Sequence, residues 1–322
     1  MELMLPFDVP SFEPRIRHQD RVMLIGSCFT RHMHGFLHRT GFRAMQNPHG
    51  TLFNPLSIAR CLNDLAEERV YTEKDLHFNE STWFSWAHHG DFSDRFPERA
   101  LERINASIRG ASAFLREAQC LILTLGSAFA YLHLESGGYV ANNHRVPASA
   151  FRKDLLNTAF MQEHLQQALN RWRVINPALR IIVTVSPVRH IRDGLVENNR
   201  SKARLIELVH SLQDTWYFPA YEAVIDVLRD HRFYDIDLVH PNYAATAWVW
   251  ERFREHCLHP DDAALMQSVQ ALHTASAHRS RDAESPAHQA FLAEQRARLE
   301  QLQQKFPYLE TAELQHLFQA GV

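Results

Sequence analysis

Four short strand-like runs punctuate the first two thirds of the chain: RVMLIGS (21–27), FRAMQNP (42–48), CLILTLG (120–126) and RIIVTVSP (180–187). A weaker fifth is TWYFPAY (215–221). Three of them are apolar at successive rather than alternating positions, as expected of strands covered on both faces in a parallel sheet. Each run is followed by a turn and then by a helical period. Apolar residues recur at three- and four-residue steps in 56–68, 97–118, 160–176 and 201–215, which predicts amphipathic helices. Strand, crossover helix, strand is therefore the repeating unit, and right-handed crossovers turn it into a doubly wound α/β sandwich. Five strands suit a flavodoxin-like order.

Two segments fall outside that unit. Residues 69–96 are rich in aromatics and His with little periodicity, which suggests an insertion packed over one end of the sheet. Beyond residue 260 a polar linker, SAHRSRDAESPAHQ, precedes amphipathic helices over 291–319. The division expected is a main domain over 1–259 and a linker with a helical tail over 260–322, the tail serving packing or self-association.

With 322 residues, 45% of them apolar, the chain can bury a full core. Its 34 Lys and Arg are scattered among 37 Asp and Glu, for a net charge of −3, so no basic footprint for nucleic acid is visible. No run reaches membrane-spanning length. The N-terminal MELMLPFDVPSFEP carries prolines and acids too early for a signal peptide, and a cytoplasmic location is expected. Four cysteines without CxxC spacing fit reduced thiols. The 21 His residues include His88-His89 and His32-x-His34, but no HExxH or Cys/His ligand set; neither a metal nor a cofactor is expected.

In parallel α/β sheets, ligands bind at the carboxyl ends of the strands. There the sequence places Ser27-Cys28, Asn47-Pro48-His49-Gly50, Gly126-Ser127, Ser186-Pro187-Val188-Arg189-His190 and, in the last α/β unit, Asp237-Leu238-Val239-His240-Pro241-Asn242. A Ser hydroxyl becomes a useful nucleophile when a His removes its proton and a carboxylate holds the other ring nitrogen of that His. Asp237 and His240, three residues apart in a short turn, can pair in this way and leave Nε2 facing Ser27. Each motif also has a plain structural reading. Gly-Ser ends a strand and starts a helix, and Asn242 with Pro241 caps and enters the helix YAATAWVWERFREH.

Together these residues carry a resemblance. GSCFT (26–30), QNPHGTLFNPLSI (46–58), WFSWAHHGDFS (83–93), TLGSAFAY (124–131), VANNHRVP (140–147), TVSPVRH (184–190), ENNRSKARL (197–205) and YFPAYEAVIDVLRDHRFYDIDLVHPN (217–242) resemble the GSCFA family. That family is related to the GDSL/SGNH serine hydrolases. The resemblance implies a three-layer SGNH-type sandwich over most of residues 15–257, with Ser27 as nucleophile and Asp237 and His240 as its terminal acid and base. It also implies that the Gly50 N–H joins the oxyanion hole. The third SGNH block, GxND, is absent: the chain reads Gly126-Ser127-Ala128-Phe129, so the usual asparagine donor is missing. Asn142 is a candidate replacement and Asn47 a second. His89, His144, Arg189 and His190 lie in family-like motifs and are candidate substrate contacts, while Cys28 reads as a small apolar residue of the helix's first turn.

The expected activity is hydrolysis of a small acyl ester, such as an O-acetyl group on a carbohydrate. The partner is then a small-molecule or carbohydrate ester rather than nucleic acid or membrane. Two other readings stay open: an O-acyltransferase using the same residues, and a non-catalytic glycan- or protein-binding module on the same scaffold.

Overall fold

The computed structural model describes residues 5–278, 280–282 and 284–320. The first four residues of the N-terminal segment, Arg279 and Ala283 of the polar linker, and the last two residues of the tail lie outside the described residues. In chain order the first elements are strand β1 (Arg21–Gly26), helix α1 (Phe29–Arg39), β2 (Arg43–Gln46) and α2 (Pro55–Ala66). A short hairpin, β3 (His77–Phe78) with β4 (Trp83–Phe84), follows, and then α3 (Pro97–Arg116) and β5 (Cys120–Leu125). Next come β6 (Phe129–His133), β7 (Tyr139–Val140), β8 (Phe151–Leu155), α4 (Thr158–Ile175), β9 (Arg180–Val185) and α5 (Leu195–Ser211). The chain continues through β10 (Trp216–Tyr217), a single turn α6 (Ala220–Glu222) and α7 (Tyr243–Cys257). It ends in α8 (Ala263–Ser276), α9 (Pro286–Lys305) and α10 (Ala312–Ala320).

Five strands pair in the order β10-β9-β5-β1-β2, all parallel. Numbered along the chain, this is the flavodoxin-like order 2-1-3-4-5, as the apolar runs predict. β5 is buried at every position, and β1 and β9 at all but the first. Alternate residues feed opposite faces: Met23, Ile25, Leu121, Leu123, Ile181 and Val183 join one core with α2 to α5, while Val22, Leu24, Ile122 and Ile182 join another with α1 and α7. Each such side chain contributes about 1.5–3 kcal/mol on burial, which fixes the register and so the carboxyl edge where β1, β5 and β9 end together.

An antiparallel sheet, β7-β6-β8, occupies residues 129–155. The apolar pattern does not announce it, because β6 and β8 are only partly buried and mix charged with aromatic residues. The insertion at 69–96 holds the β3–β4 hairpin and two short 3₁₀ turns. It forms a satellite cluster around Phe84, Trp86, Val140 and Phe151. Trp86 sits edge-on to Phe84 at 4.7 Å and is buried, so it roofs the domain and offers no open face to a sugar.

The C-terminal helices have a small core of their own, Leu272, Leu292, Leu299, Leu314 and Phe318. They meet the main domain on α1, where His38 Nε2 lies 3.0 Å from Glu313 and its ring 5.3 Å from that of His273. Among the described residues, no helix is long and apolar enough to cross a membrane.

Candidate active site

The turn after β1 is held from both sides. Gly26 has φ +150°, and a Cβ on it would lie 2.2 Å from Thr124 O of β5, so only glycine lets the two strands come this close. Gly26 N–H donates to Asn47 Oδ1 (2.8 Å), Ser27 N–H to Thr124 O (3.1 Å) and Leu52 N–H to Gly26 O (3.0 Å). α1 starts at once, with Thr30 N–H donating to Ser27 O (3.0 Å). Ser27 is thus set rigidly at the mouth of the helix, with 1% of its surface exposed. Its Oγ is buried without a hydrogen-bond partner among the described residues.

Asp237 and His240 sit in the loop before α7. His240 Nδ1 and Asp237 Oδ2 are 2.7 Å apart, and Asp237 Oδ1 accepts from Val239 N–H (2.9 Å) and His240 N–H (3.0 Å). These backbone and imidazole donors, the His240 N–H first, hold the Asp237 carboxyl down near pH 2. Leu238 at φ +57° lets the loop close that tightly, and Asp235 N–H donates to His240 O (2.8 Å). Asn242 caps α7 through Ala245 N–H (3.1 Å), so the same loop starts the helix and aligns a carboxylate on an imidazole. The His240 ring reaches the field of His32 on α1, whose pKa is lowered by burial first and by His240 next. No hydrogen bond joins Ser27 Oγ to His240 in this conformation.

Arg189 acts on this loop. Its N–H donates to Val239 O (3.2 Å), its guanidinium to Leu238 O (3.4 Å), and it lies 4.3 Å over the Tyr234 ring. It props the Asp237–His240 loop. His190 lines the wall next to the serine, with Nε2 3.2 Å from Gly126 O and its ring edge-on to Phe53. Burial first, and then the neighbouring Lys202, lower its pKa to about 4. His89 stands at the rim, its Nδ1 3.0 Å from Asp91, which pairs with Arg31 of α1 at 3.1 Å.

Three expectations change. The Gly50 N–H donates to Asn47 O (2.7 Å) inside its own turn and is not free for an oxyanion. A glycine is needed there for φ +77° and because a Cβ would meet His89 Cβ at 2.3 Å. His144 is buried in the aromatic insertion, with Nε2 3.0 Å from Ser85 O, Nδ1 3.4 Å from Ser93 Oγ, and its ring stacked on Phe84; it braces the insertion. Asn142 uses its Oδ1 on His144 N–H (2.8 Å), and no hydrogen bond ties it to the β1 turn. Asn47 is the amide at the site: its Oδ1 holds Gly26, while its Nδ2 is buried without a partner among the described residues.

The sequence reading missed Lys202. It is on α5, buried to 1% exposure, and donates to Gly126 O (2.8 Å) and Ser186 O (2.7 Å), the carbonyls just beyond β5 and β9. A signal for it exists, since Lys202 occupies the inward stripe with Leu205 and Val209, where a lysine has no packing reason to be.

The fold and site define a three-layer α/β protein with Ser, Asp and His at the carboxyl edge of a parallel sheet. The chain belongs to the GSCFA family: the family model matches residues 21–253, and that of the GSCFA domain protein C-terminal domain matches residues 269–322. No curated protein matches the chain. Among solved structures it is similar to a carbohydrate esterase family 3 from Talaromyces cellulolyticus, with 11% identity, a TM-score of 0.37 and coverage of 77% of this chain and 98% of that one. It is also similar to an acetyl xylan esterase (Est2A) from the rumen bacterium Butyrivibrio proteoclasticus, with 8% identity, a TM-score of 0.34 and coverage of 77% and 66%.

Proposed function

We propose that this chain is a serine hydrolase that cleaves esters of small acyl groups. The observation that carries the reading is the Asp237–His240 pair at 2.7 Å in a loop beside the helix that opens at Ser27, whose buried hydroxyl has no hydrogen bond of its own. Acyl transfer uses an ionised carboxylate aligned on an imidazole: the carboxylate fixes the tautomer and leaves Nε2 as the base.

In the reaction Ser27 Oγ bonds to the carbonyl carbon as its proton passes to His240 Nε2. The carbonyl oxygen becomes an anion, and the Asn47 NH₂ is the donor available to it. Collapse breaks the ester C–O bond, His240 returns its proton to the leaving alcohol, and water then repeats the sequence on the acyl-serine. A small acyl group is favoured because Ser27 is 1% exposed and is walled by Phe53 and Gly126. A Cβ on Gly126 would already lie 3.2 Å from both Ser27 Cβ and the Phe53 ring. Catalytic hydrogen bonds commonly close only when substrate is bound, which accommodates the missing Ser27–His240 bond.

Hydrolysis of p-nitrophenyl acetate, butyrate and octanoate by wild type, Ser27→Ala and His240→Ala tests the reading. The expected result is turnover that falls with chain length and is lost in both variants. Equal turnover by Ser27→Ala would exclude Ser27, and no turnover of any ester by folded wild type would favour the binding-module reading.

A further inference from the structure

Among the ionisable groups at the site that take no part in these steps, Lys202 stands out. Lys202 is fully enclosed, and an ammonium is retained in such a place only where it is compensated or has work to do. Its two hydrogen bonds go to neutral carbonyls, Gly126 O and Ser186 O. The groups around it are the Cys28 thiol at the head of α1, the His190 ring sharing the Gly126 carbonyl, and the Tyr221 ring 5.8 Å away. No carboxylate is among the groups that act on it among the described residues.

Its position is specific. Gly126 is the residue against which Ser27 rests, and Gly126 and Ser127 N–H both donate to Phe53 O (2.8 and 2.9 Å). The segment that lacks the usual asparagine is thus gripped from one side by Phe53 and from the other by Lys202. We propose that Lys202 is a positioning residue of the serine site, its ammonium drawing the Gly126 and Ser186 carbonyls together beside Ser27 and lending uncompensated positive charge to the anion that attack creates. This inference rests on the ester-cleaving reading. In place of a neutral amide donor at the third block, the site has a buried cation one residue behind it, which acts on the oxyanion through a dry, low-dielectric wall. Burial, the larger effect, lowers the Lys202 pKa to about 7, so the charge is present at and below neutrality and is lost above it.

The test is the rate of labelling by a fluorophosphonate, measured from pH 6 to 9 on the full chain for wild type and Lys202→Met, with the labelled peptide identified. In this reaction the Ser27 oxygen bonds to phosphorus, fluoride leaves, and the serine proton passes to His240. Wild type is expected to show a falling limb between about pH 7 and 8. Lys202→Met is expected to label ten- to a hundredfold more slowly at pH 6.5, with no such limb. A Lys202 that only braced the strands would leave the limb in place. Labelling of the variant at the wild-type rate, or with the limb retained, overturns the proposal. If Lys202→Met does not fold, the wild-type profile decides, and a flat rate from pH 7 to 9 overturns it. Absence of any Ser27 labelling in folded wild type sinks the ester-cleaving reading and this inference together, whereas labelling without the limb sinks this inference alone.

Discussion

Replacing Asn47 by Asp separates the two tasks of that side chain. Asn47 holds the β1 turn through Oδ1, which accepts from Gly26 N–H at 2.8 Å, and its own backbone is left-handed at φ +46°. Asp keeps the shape, keeps an acceptor for Gly26 and tolerates that backbone, so the fold should persist. The change falls on the second atom: a buried, unpartnered NH₂ becomes an oxygen that cannot donate to an oxyanion. Loss of one such donor costs on the order of 10²–10³ in kcat, about 2.7–4 kcal/mol, and repulsion from the new oxygen adds to it. The assay is steady-state hydrolysis of p-nitrophenyl acetate alongside a thermal melt. Asn47→Ala is the companion, since it also loses the Gly26 bond and the left-handed tolerance and should lose a further ~1–2 kcal/mol of stability. A folded Asn47→Asp variant with kcat within about threefold of wild type would remove Asn47 from the oxyanion hole.

Other expectations follow from the same geometry. Gly26→Ala should cost at least about 3 kcal/mol of stability, read by chemical denaturation, because its Cβ meets Thr124 O at 2.2 Å with φ at +150°; a variant as stable as wild type would contradict the close approach of β1 and β5. Asp237→Asn should lower kcat on the order of a thousandfold or more, because an amide no longer selects the imidazole tautomer, and circular dichroism should show the fold unchanged. Stability should also depend on pH through Lys202. Its pKa falls from 10.5 in the unfolded chain to about 7 in the fold, so between those values the unfolded chain holds more protons and stability rises with pH. The full span is worth on the order of 5 kcal/mol at 1.36 kcal/mol per unit, and a Lys202→Met variant should lack this component of the rise.

The sheet was legible because its central strands, β1, β5 and β9, are buried on both faces. Runs such as CLILTL and RIIVTV cannot be satisfied on a one-sided sheet, and their spacing by amphipathic helices leaves little choice of order. The antiparallel β7-β6-β8 sheet was not legible, because FAYLH and FRKDL are partly exposed and carry no clear period. At the site, Asp237 and His240 could be paired from spacing alone, since the turn is local. Gly50 could not be assigned, because whether a glycine frees an N–H or makes room for a neighbour depends on His89, 39 positions away in the sequence. The roles of Asn47 and Lys202 likewise depend on contacts between strand ends brought together only by the sheet.

The central claim is that Ser27, and not the adjacent thiol, is the nucleophile. Burial above all pushes the Cys28 thiol pKa upward, which keeps it protonated and inert. The direct measurement is fluorophosphonate labelling of wild type, Ser27→Ala and Cys28→Ala followed by mass spectrometry of the peptide spanning residues 21–39. The account predicts one adduct on Ser27 in wild type and in Cys28→Ala, and none in Ser27→Ala. An adduct that persists in Ser27→Ala, or no adduct on folded wild type, would contradict it.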